Sequence, residues 1–327
     1  MGGVQQTIII HVDDLMITCK SEAANEEVIK KLKEIYKDVS INEGGIHSYV
    51  GITFDFTQAG KVKLSQEGYT NDMISHYGVK STVKTPASDD LFVIDESSPL
   101  LKEDKAKEFH TLKAKLLYLS KRTRPDILVA VSFLTSRVKQ PSEQDAGKAN
   151  RLLKYLKGTA QLGIVLEPQK NLIDVTAYVD ASYGVHADGK SHTGMTISVG
   201  RGPVVAKSTK QKLTTKSSTE AELVGLSDST SAIIGVRNFL EAQGYKVPPA
   251  KVCQDNLSTM AMVEAGKPTS DRTRHISIRF FFVKDRVDSG EVVIRHTRTE
   301  DMVADILTKP LQGELFVKLR RELLNYE

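Results

Sequence analysis

The chain has 327 residues, 40% of them hydrophobic and 26% charged, with a net charge of +4, the profile of a globular protein with room for two domains. No apolar run reaches the roughly 20 residues that cross a bilayer, and the N-terminus lacks the basic start, apolar stretch and cleavage site of a leader peptide. The two cysteines, Cys19 and Cys253, are too few and too scattered for a disulfide framework or a zinc site, so a reducing intracellular setting without a membrane is expected.

The first element is "IIIHVDDLMIT" (8–18), two β-forming runs around adjacent aspartates. Asp13 and Asp14 are either the polar tip of a hairpin or part of a site for Mg²⁺, which prefers oxygen ligands. The isoleucines are expected to pack beneath that hairpin. "NEEVIKKLKEIYKD" then reads as a helix, and "SYVGITFDFTQAGKVKLSQ" as two short strands around Gly60. "TPASDDLFVIDESSPL" reads as a loop rich in Pro, Ser and Asp. Three helical segments follow: "KEFHTLKAKLLYLSK", "PDILVAVSFLTSRVKQP" with Pro125 early, and "DAGKANRLLKYLKGT" ending at Gly158. Residues 102–157 hold fourteen Lys/Arg against six Asp/Glu. Such a run is either a set of solvated helix faces or a track for a phosphate backbone. "EPQKN" (167–171) is a linker candidate.

From Asn171 the pattern changes. "DVTAYVD" alternates Val175, Ala177 and Val179 on one face with Thr176, Tyr178 and Asp180 on the other. "GMTISVG" and "GPVVAKST" are further strands across a hairpin-like link. A long helix begins near Ser217, then come a strand "AKVCQDN", short helices, a strand "GEVVIRHT" and a final helix near "EDMVADILTK". Three strands, helix, strand, helix, strand, helix is the order of a ribonuclease H fold.

Four carboxylates sit at landmarks of that order: Asp180 on the first strand, Glu220 in the first turn of the long helix, Asp255 at the end of the fourth strand and Asp305 in the last helix. Each also has a structural reading. Asp180 could end a strand, Glu220 could pair with Ser217 in a capping box, Asp255 could cap a helix, and Asp305 could face solvent. Leu223, Leu226, Ile233, Val236 and Leu240 mark the buried stripe of the long helix. Glu220 lies three residues before Leu223, and Glu222 two residues further round, which favours Glu220 as the inward carboxylate. Four carboxylates brought together would repel one another, and two Mg²⁺ ions would relieve them.

Seven strings, in order, resemble the C-terminal part of a copia-type LTR retrotransposon polyprotein: "HVDDLMIT", "LLYLSKRTRPDILVAV", "ANRLLKYLKGT", "DASYGVHADGKSHTG", "STKQKLTTKSSTEAEL", "QDN" and "ADILTKP". The resemblance implies an α/β chain of two domains. Residues 1–166 would be a truncated reverse transcriptase, the back of an α+β palm with thumb or connection. Residues 172–327 would be a ribonuclease H-like mixed-sheet α/β domain. "HVDDL" resembles the family's Tyr-Val-Asp-Asp-Leu signature with His11 in place of Tyr, so Asp13 and Asp14 correspond to palm metal ligands. Polymerase activity is expected of a full-length parent and not of this chain.

The resemblance further implies a Mg²⁺-dependent ribonuclease H cleaving RNA in RNA–DNA hybrids, with Asp180, Glu220, Asp255 and Asp305 holding two ions and Mn²⁺ able to substitute. Lys207, Lys210, Lys212 and Lys216 are phosphate-contact candidates, or simply an exposed basic loop. His275 and His296 are candidates for the histidine that aids product release in many ribonucleases H. Partners would be the hybrid, and an upstream polymerase part or another copy of the chain. The setting would be a cytoplasmic virus-like particle or the nucleus. A decayed or co-opted fragment that binds nucleic acid without cutting it is the competing reading. A different nuclease or transposase on the same fold is a third, disfavoured because the transposase glutamate comes late.

Overall fold

A computed structural model of the chain describes residues 4–169, 173–266 and 277–326. Strands β1 (Gln6–His11) and β2 (Asp14–Cys19) pair antiparallel, His11 opposite Asp14. The two-residue turn puts Val12 at φ +57°, the left-handed start that matches the twist of a tight hairpin. The isoleucines do not pack beneath it: Ile8, Ile9 and Ile10 are 43%, 49% and 68% exposed. Helix α1 (Glu22–Ile35), capped by Ser21, likewise contains no buried residue. A two-stranded ribbon offers too little surface to bury its own side chains.

Strands β3 (Ile46–Tyr49), β4 (Ile52–Asp55) and β5 (Val62–Ser65) form an antiparallel meander, and β6 (Ile164–Leu166) adds to its far edge. Between β5 and β6 lie α2 (Glu67–His76), α3 (Glu103–Arg122), α4 (Leu128–Ser136), entered through a 3-10 turn at Pro125–Ile127, and α5 (Glu143–Lys157). Phe109, Leu116, Leu119, Phe133, Leu152 and Leu156 form their core. Buried Arg124 donates to both oxygens of Asp126, at 2.9 and 2.8 Å, and to the Thr159 carbonyl at 2.8 Å. Pairing of this kind is what makes a fully buried guanidinium tolerable.

The basic surplus of 102–157 is partly spent inside this unit. Arg124 is buried and paired, and Arg137 lies 3.3 Å from Asp145. Lys148, Arg151 and Lys157 donate to Val93, Thr85 and Val79. Lys113 is buried. The charge left for a phosphate backbone is therefore smaller than the count suggests.

The second half is a five-stranded sheet. Strands β7 (Val175–Ser182), β8 (His192–Val199) and β9 (Pro203–Lys210) run antiparallel in sequence. Helix α6 (Ser218–Ala242) leads to β10 (Ala250–Gln254), which joins β7 in parallel. Helices α7 (Leu257–Ala265) and α8 (Ser277–Asp288) lead to β11 (Val292–His296), parallel to β10. The spatial order is β11-β10-β7-β8-β9, the arrangement expected of a ribonuclease H fold. Val175, Ala177 and Val179 pack with Leu223, Leu226 and Ile233 of α6.

The chain end departs from expectation. Asp305 lies in a 3-10 turn, Val303–Leu307, rather than in the last helix; that helix, α9 (Gly313–Leu324), starts later. Pro310 follows the turn, and proline disfavours a helical residue before it. Phe316, Leu319 and Leu323 of α9 pack into the core built by α3, α4 and α5. Arg320 donates to the Tyr155 hydroxyl at 3.1 Å, and Asn325 to the Val165 carbonyl at 3.0 Å. A division between 1–166 and 172–327 thus follows the sheets but cuts through a shared core. No helix among the described residues is long and apolar enough to cross a membrane.

Candidate active site

Asp180 sits near the end of β7, buried, opposite Gly194 of β8. The parallel register of β10 on β7, Cys253 beside Tyr178, carried two residues on, sets Asp255 level with Asp180. Parallel pairing of neighbouring strands delivers side chains at one end of a sheet, where ligand sites form in such folds. Thr299 Oγ1 donates to Asp255 Oδ2 at 3.0 Å, and Thr308 Oγ1 donates to Asp180 Oδ2.

The helix carboxylate that joins them is Glu222 and not Glu220. One oxygen each of Asp180, Glu222 and Asp255 lie within 4.8 Å of one another. Glu220 is occupied at the helix start: its Oε2 accepts from the Lys216 amide at 2.8 Å, and its own amide donates to Ser217 Oγ at 3.2 Å. This is close to the capping arrangement that its spacing from Ser217 allowed. No stripe distinguishes the inward face here, because the first turns of α6 are buried all round, Glu220 through Ser227 without interruption. Glu222 is also one turn before Leu226. Gly225 was the missed signal. A methyl group there would lie 3.2 Å from Thr193 Cγ2 and 3.6 Å from Ala181 Cβ, so this face presses on β7 and β8, and Glu222, three residues earlier, is carried to Asp180.

Gln254 was also missed. It is fully buried at the end of β10. Its Oε1 accepts from the amides of Asp255 and Asn256, both at 2.9 Å, and its Nε2 donates to Glu222 Oε2 at 3.3 Å. One amide side chain therefore orients the Glu222 carboxylate and fixes the backbone that carries Asp255.

Asp305 is buried beside the cluster without being part of the three-oxygen group. Its Oδ1 is 2.8 Å from Lys309 Nζ, which is also 3.5 Å from Asp180 Oδ2. Gly194 makes this approach possible: a methyl group there would lie 2.7 Å from Thr308 Cγ2 and 2.8 Å from both the Ala304 carbonyl and Leu307 Cβ. Burial, with the charges of Asp180 and Asp255, pushes Glu222 up to about 9. Burial and the charge of Asp180 push Asp305 up to about 7, against the pull of Lys309. Crowded carboxylates that resist ionisation are a donor set waiting for a hard cation; the residues present fit a divalent ion held by oxygen.

The other candidates lie apart. Asp13 and Asp14 are at the exposed hairpin tip, and no third carboxylate joins them among the described residues. Lys207, Lys212 and Lys216 are exposed, while Lys210 is 2.8 Å from Asp188. His296 ends β11, exposed and beside Gln254 in the ladder. His275 lies outside the described residues.

The retrovirus-related Pol polyprotein of transposon RE2 from Arabidopsis thaliana is 30% identical over 324 residues, covering 97% of this chain and 21% of the polyprotein. That of transposon RE1 is 30% identical over 94% of the chain and 21% of the polyprotein. The chain is a homologue of LTR-retrotransposon Pol polyproteins. The TyH3 Gag-Pol polyprotein of Saccharomyces cerevisiae is a further relative of this homologue, 25% identical over 98% of the chain and 19% of the polyprotein. The chain thus spans about a fifth of the length of these curated relatives. No family model matches it. Among solved structures, LC11-RNase H1 isolated from compost aligns with 42% of the chain and 93% of its own, at TM-score 0.30 and 13% identity. RNase H1 of Halobacterium salinarum does so over 42% and 91%, at TM-score 0.29 and 16% identity.

Proposed function

We propose that this Pol homologue is a Mg²⁺-dependent ribonuclease H that cuts the RNA strand of RNA–DNA hybrids. The observation that carries the reading is the meeting of Asp180, Glu222 and Asp255 within 4.8 Å, with Asp305 beside them, at one end of the β11-β10-β7-β8-β9 sheet. Asp180, Glu222, Asp255 and Asp305 would hold the metal. Bound divalent ions supply an activated water and stabilise the leaving oxygen of a phosphodiester. Gln254 and Thr299 hold Glu222 and Asp255 in place. Thr308 holds Asp180.

RNA would be distinguished from DNA by contacts to its 2′-hydroxyls across a shallow minor groove. Exposed Lys207, Lys212 and Lys216 are the phosphate contacts of this reading. It assigns Asp13 and Asp14 no part in hybrid cleavage.

The test is cleavage of a labelled hybrid by the purified chain with Mg²⁺. Asp180→Asn and Glu222→Gln should abolish it, and Glu220→Gln should retain most of it. A chain that binds the hybrid but never cuts it would instead identify a co-opted nucleic-acid-binding fragment.

A further inference from the structure

Lys309 carries a charge that opposes the acidic cluster, and its placement is built in. Its amide donates to the Asp305 carbonyl at 2.9 Å, and its carbonyl accepts from Leu311 at 2.9 Å. Pro310 follows, so the backbone at Lys309 has little freedom. Thr308, the preceding residue, is tied both to Asp180 and to the Asp305 carbonyl. The stem therefore leaves a pinned turn, and the ammonium reaches two carboxylates at once, Asp305 at 2.8 Å and Asp180 at 3.5 Å. These two belong to different halves of the acidic group: Asp180 is in the three-oxygen cluster and Asp305 is not. The ammonium lies between them.

We infer that Lys309 is an internal counter-ion standing in the position between Asp180 and Asp305, so that a divalent ion entering there must displace it. The inference rests on the metal-dependent reading above. An ammonium and a divalent ion cannot share the same two carboxylate oxygens, because two cations at such range repel strongly. The three-oxygen cluster of Asp180, Glu222 and Asp255 is then the first ion's place, and the Asp180–Asp305 position the second's. Lys309 has a structural use before any ion arrives. It offsets the repulsion between Asp180 and Asp305, so the turn carrying Asp305 can close on β7 and β8 during folding. The cost is competition: the second ion binds more weakly than the carboxylates alone would allow.

The experiment is calorimetric titration of the full chain with Mn²⁺, comparing wild type with Lys309→Met, Lys309→Arg and Asp305→Asn. Wild type should show one stronger and one weaker binding event. Lys309→Met should tighten the weaker event by about ten- to a hundredfold, the size expected when a unit charge within about 4 Å is removed from a partly hydrated site. Lys309→Arg keeps the charge and should titrate like wild type. Asp305→Asn should remove the weaker event and leave the stronger. Two events in wild type that Lys309→Met leaves unchanged would overturn this inference while the metal-dependent reading stood. No uptake by any of these proteins would overturn both.

Discussion

Gly194→Ala tests whether close packing, and not merely the presence of carboxylates, assembles the site. The added methyl would lie 2.8 Å from Leu307 Cβ and the Ala304 carbonyl and 2.7 Å from Thr308 Cγ2, where ordinary contact begins at 3.4 Å. Two of those atoms are backbone or Cβ and cannot swing aside, so the 303–307 turn must retreat by about 0.6 Å, the kind of overpacking that costs about 1–3 kcal/mol. That turn carries Asp305, and Thr308 and Lys309 follow it directly, so the loss should not be confined to stability. A misplacement of about 1 Å near reacting groups can cost roughly a hundredfold in rate, and hybrid cleavage should fall by about ten- to a hundredfold. Urea unfolding gives the first quantity and a labelled-hybrid assay the second. Gly235→Ala is the matched control: it is exposed in α6 with nothing within 4 Å of the added methyl, and alanine for glycine in a helix should stabilise by up to about 1 kcal/mol. A Gly194→Ala protein as stable and as active as wild type would refute the reasoning.

Four further outcomes are expected. Without divalent cations, stability should fall as pH rises from 4.5 towards about 9, because folded Glu222 keeps a proton that the unfolded chain has released; saturating Mg²⁺ should flatten that fall, and an unchanged slope in thermal melts would count against the cation site. The opposite sign applies at low pH. His192, hydrogen-bonded to His186 at 3.0 Å and Ser208 at 2.7 Å, is held by burial at about 3, and His186 at about 4. Their contribution is full above 6.5 and lost as pH falls from 6.5 towards about 4 for His186 and about 3 for His192, a loss that His192→Asn should diminish in acid titrations. Arg320→Ala should cost about 2 kcal/mol by removing the charged hydrogen bond to the Tyr155 hydroxyl, which itself donates to Asp126 at 2.6 Å, and by unseating α9, and the isolated piece 172–327 should be less stable than the full chain, its Phe316, Leu319 and Leu323 uncovered; equal melting temperatures would contradict the shared core. Replacing Lys207, Lys212 and Lys216 with Gln should flatten the salt dependence of hybrid binding by about one unit of log–log slope for each phosphate no longer neutralised, and an unchanged slope would remove them from the interface.

The order of elements from Val175 onward was legible because each strand carries a two-residue alternation or a short apolar run bounded by turn residues, and α6 a helical stripe. Asp180 and Asp255 were legible too, since each stands at a strand end that this order places centrally. The hairpin at Asp13 and Asp14 was foreseen, but not the exposure of its isoleucines, which depends on what packs against them. The choice between Glu220 and Glu222 needed the tertiary structure. A helix buried on every side in its first turns has no exposed face against which to read a stripe, and the deciding contact, Gly225 against Thr193 and Ala181, joins residues far apart in the chain. The same holds for the last turn. Sequence pattern made Asp305 helical, while its conformation is set by Pro310, by the close approach to Gly194 of β8, and by Thr308 reaching Asp180. Local periodicity specifies which residues form an element and which are apolar; which of two neighbouring carboxylates meets a third is settled only when the strand register and the close approach of helix to sheet are known.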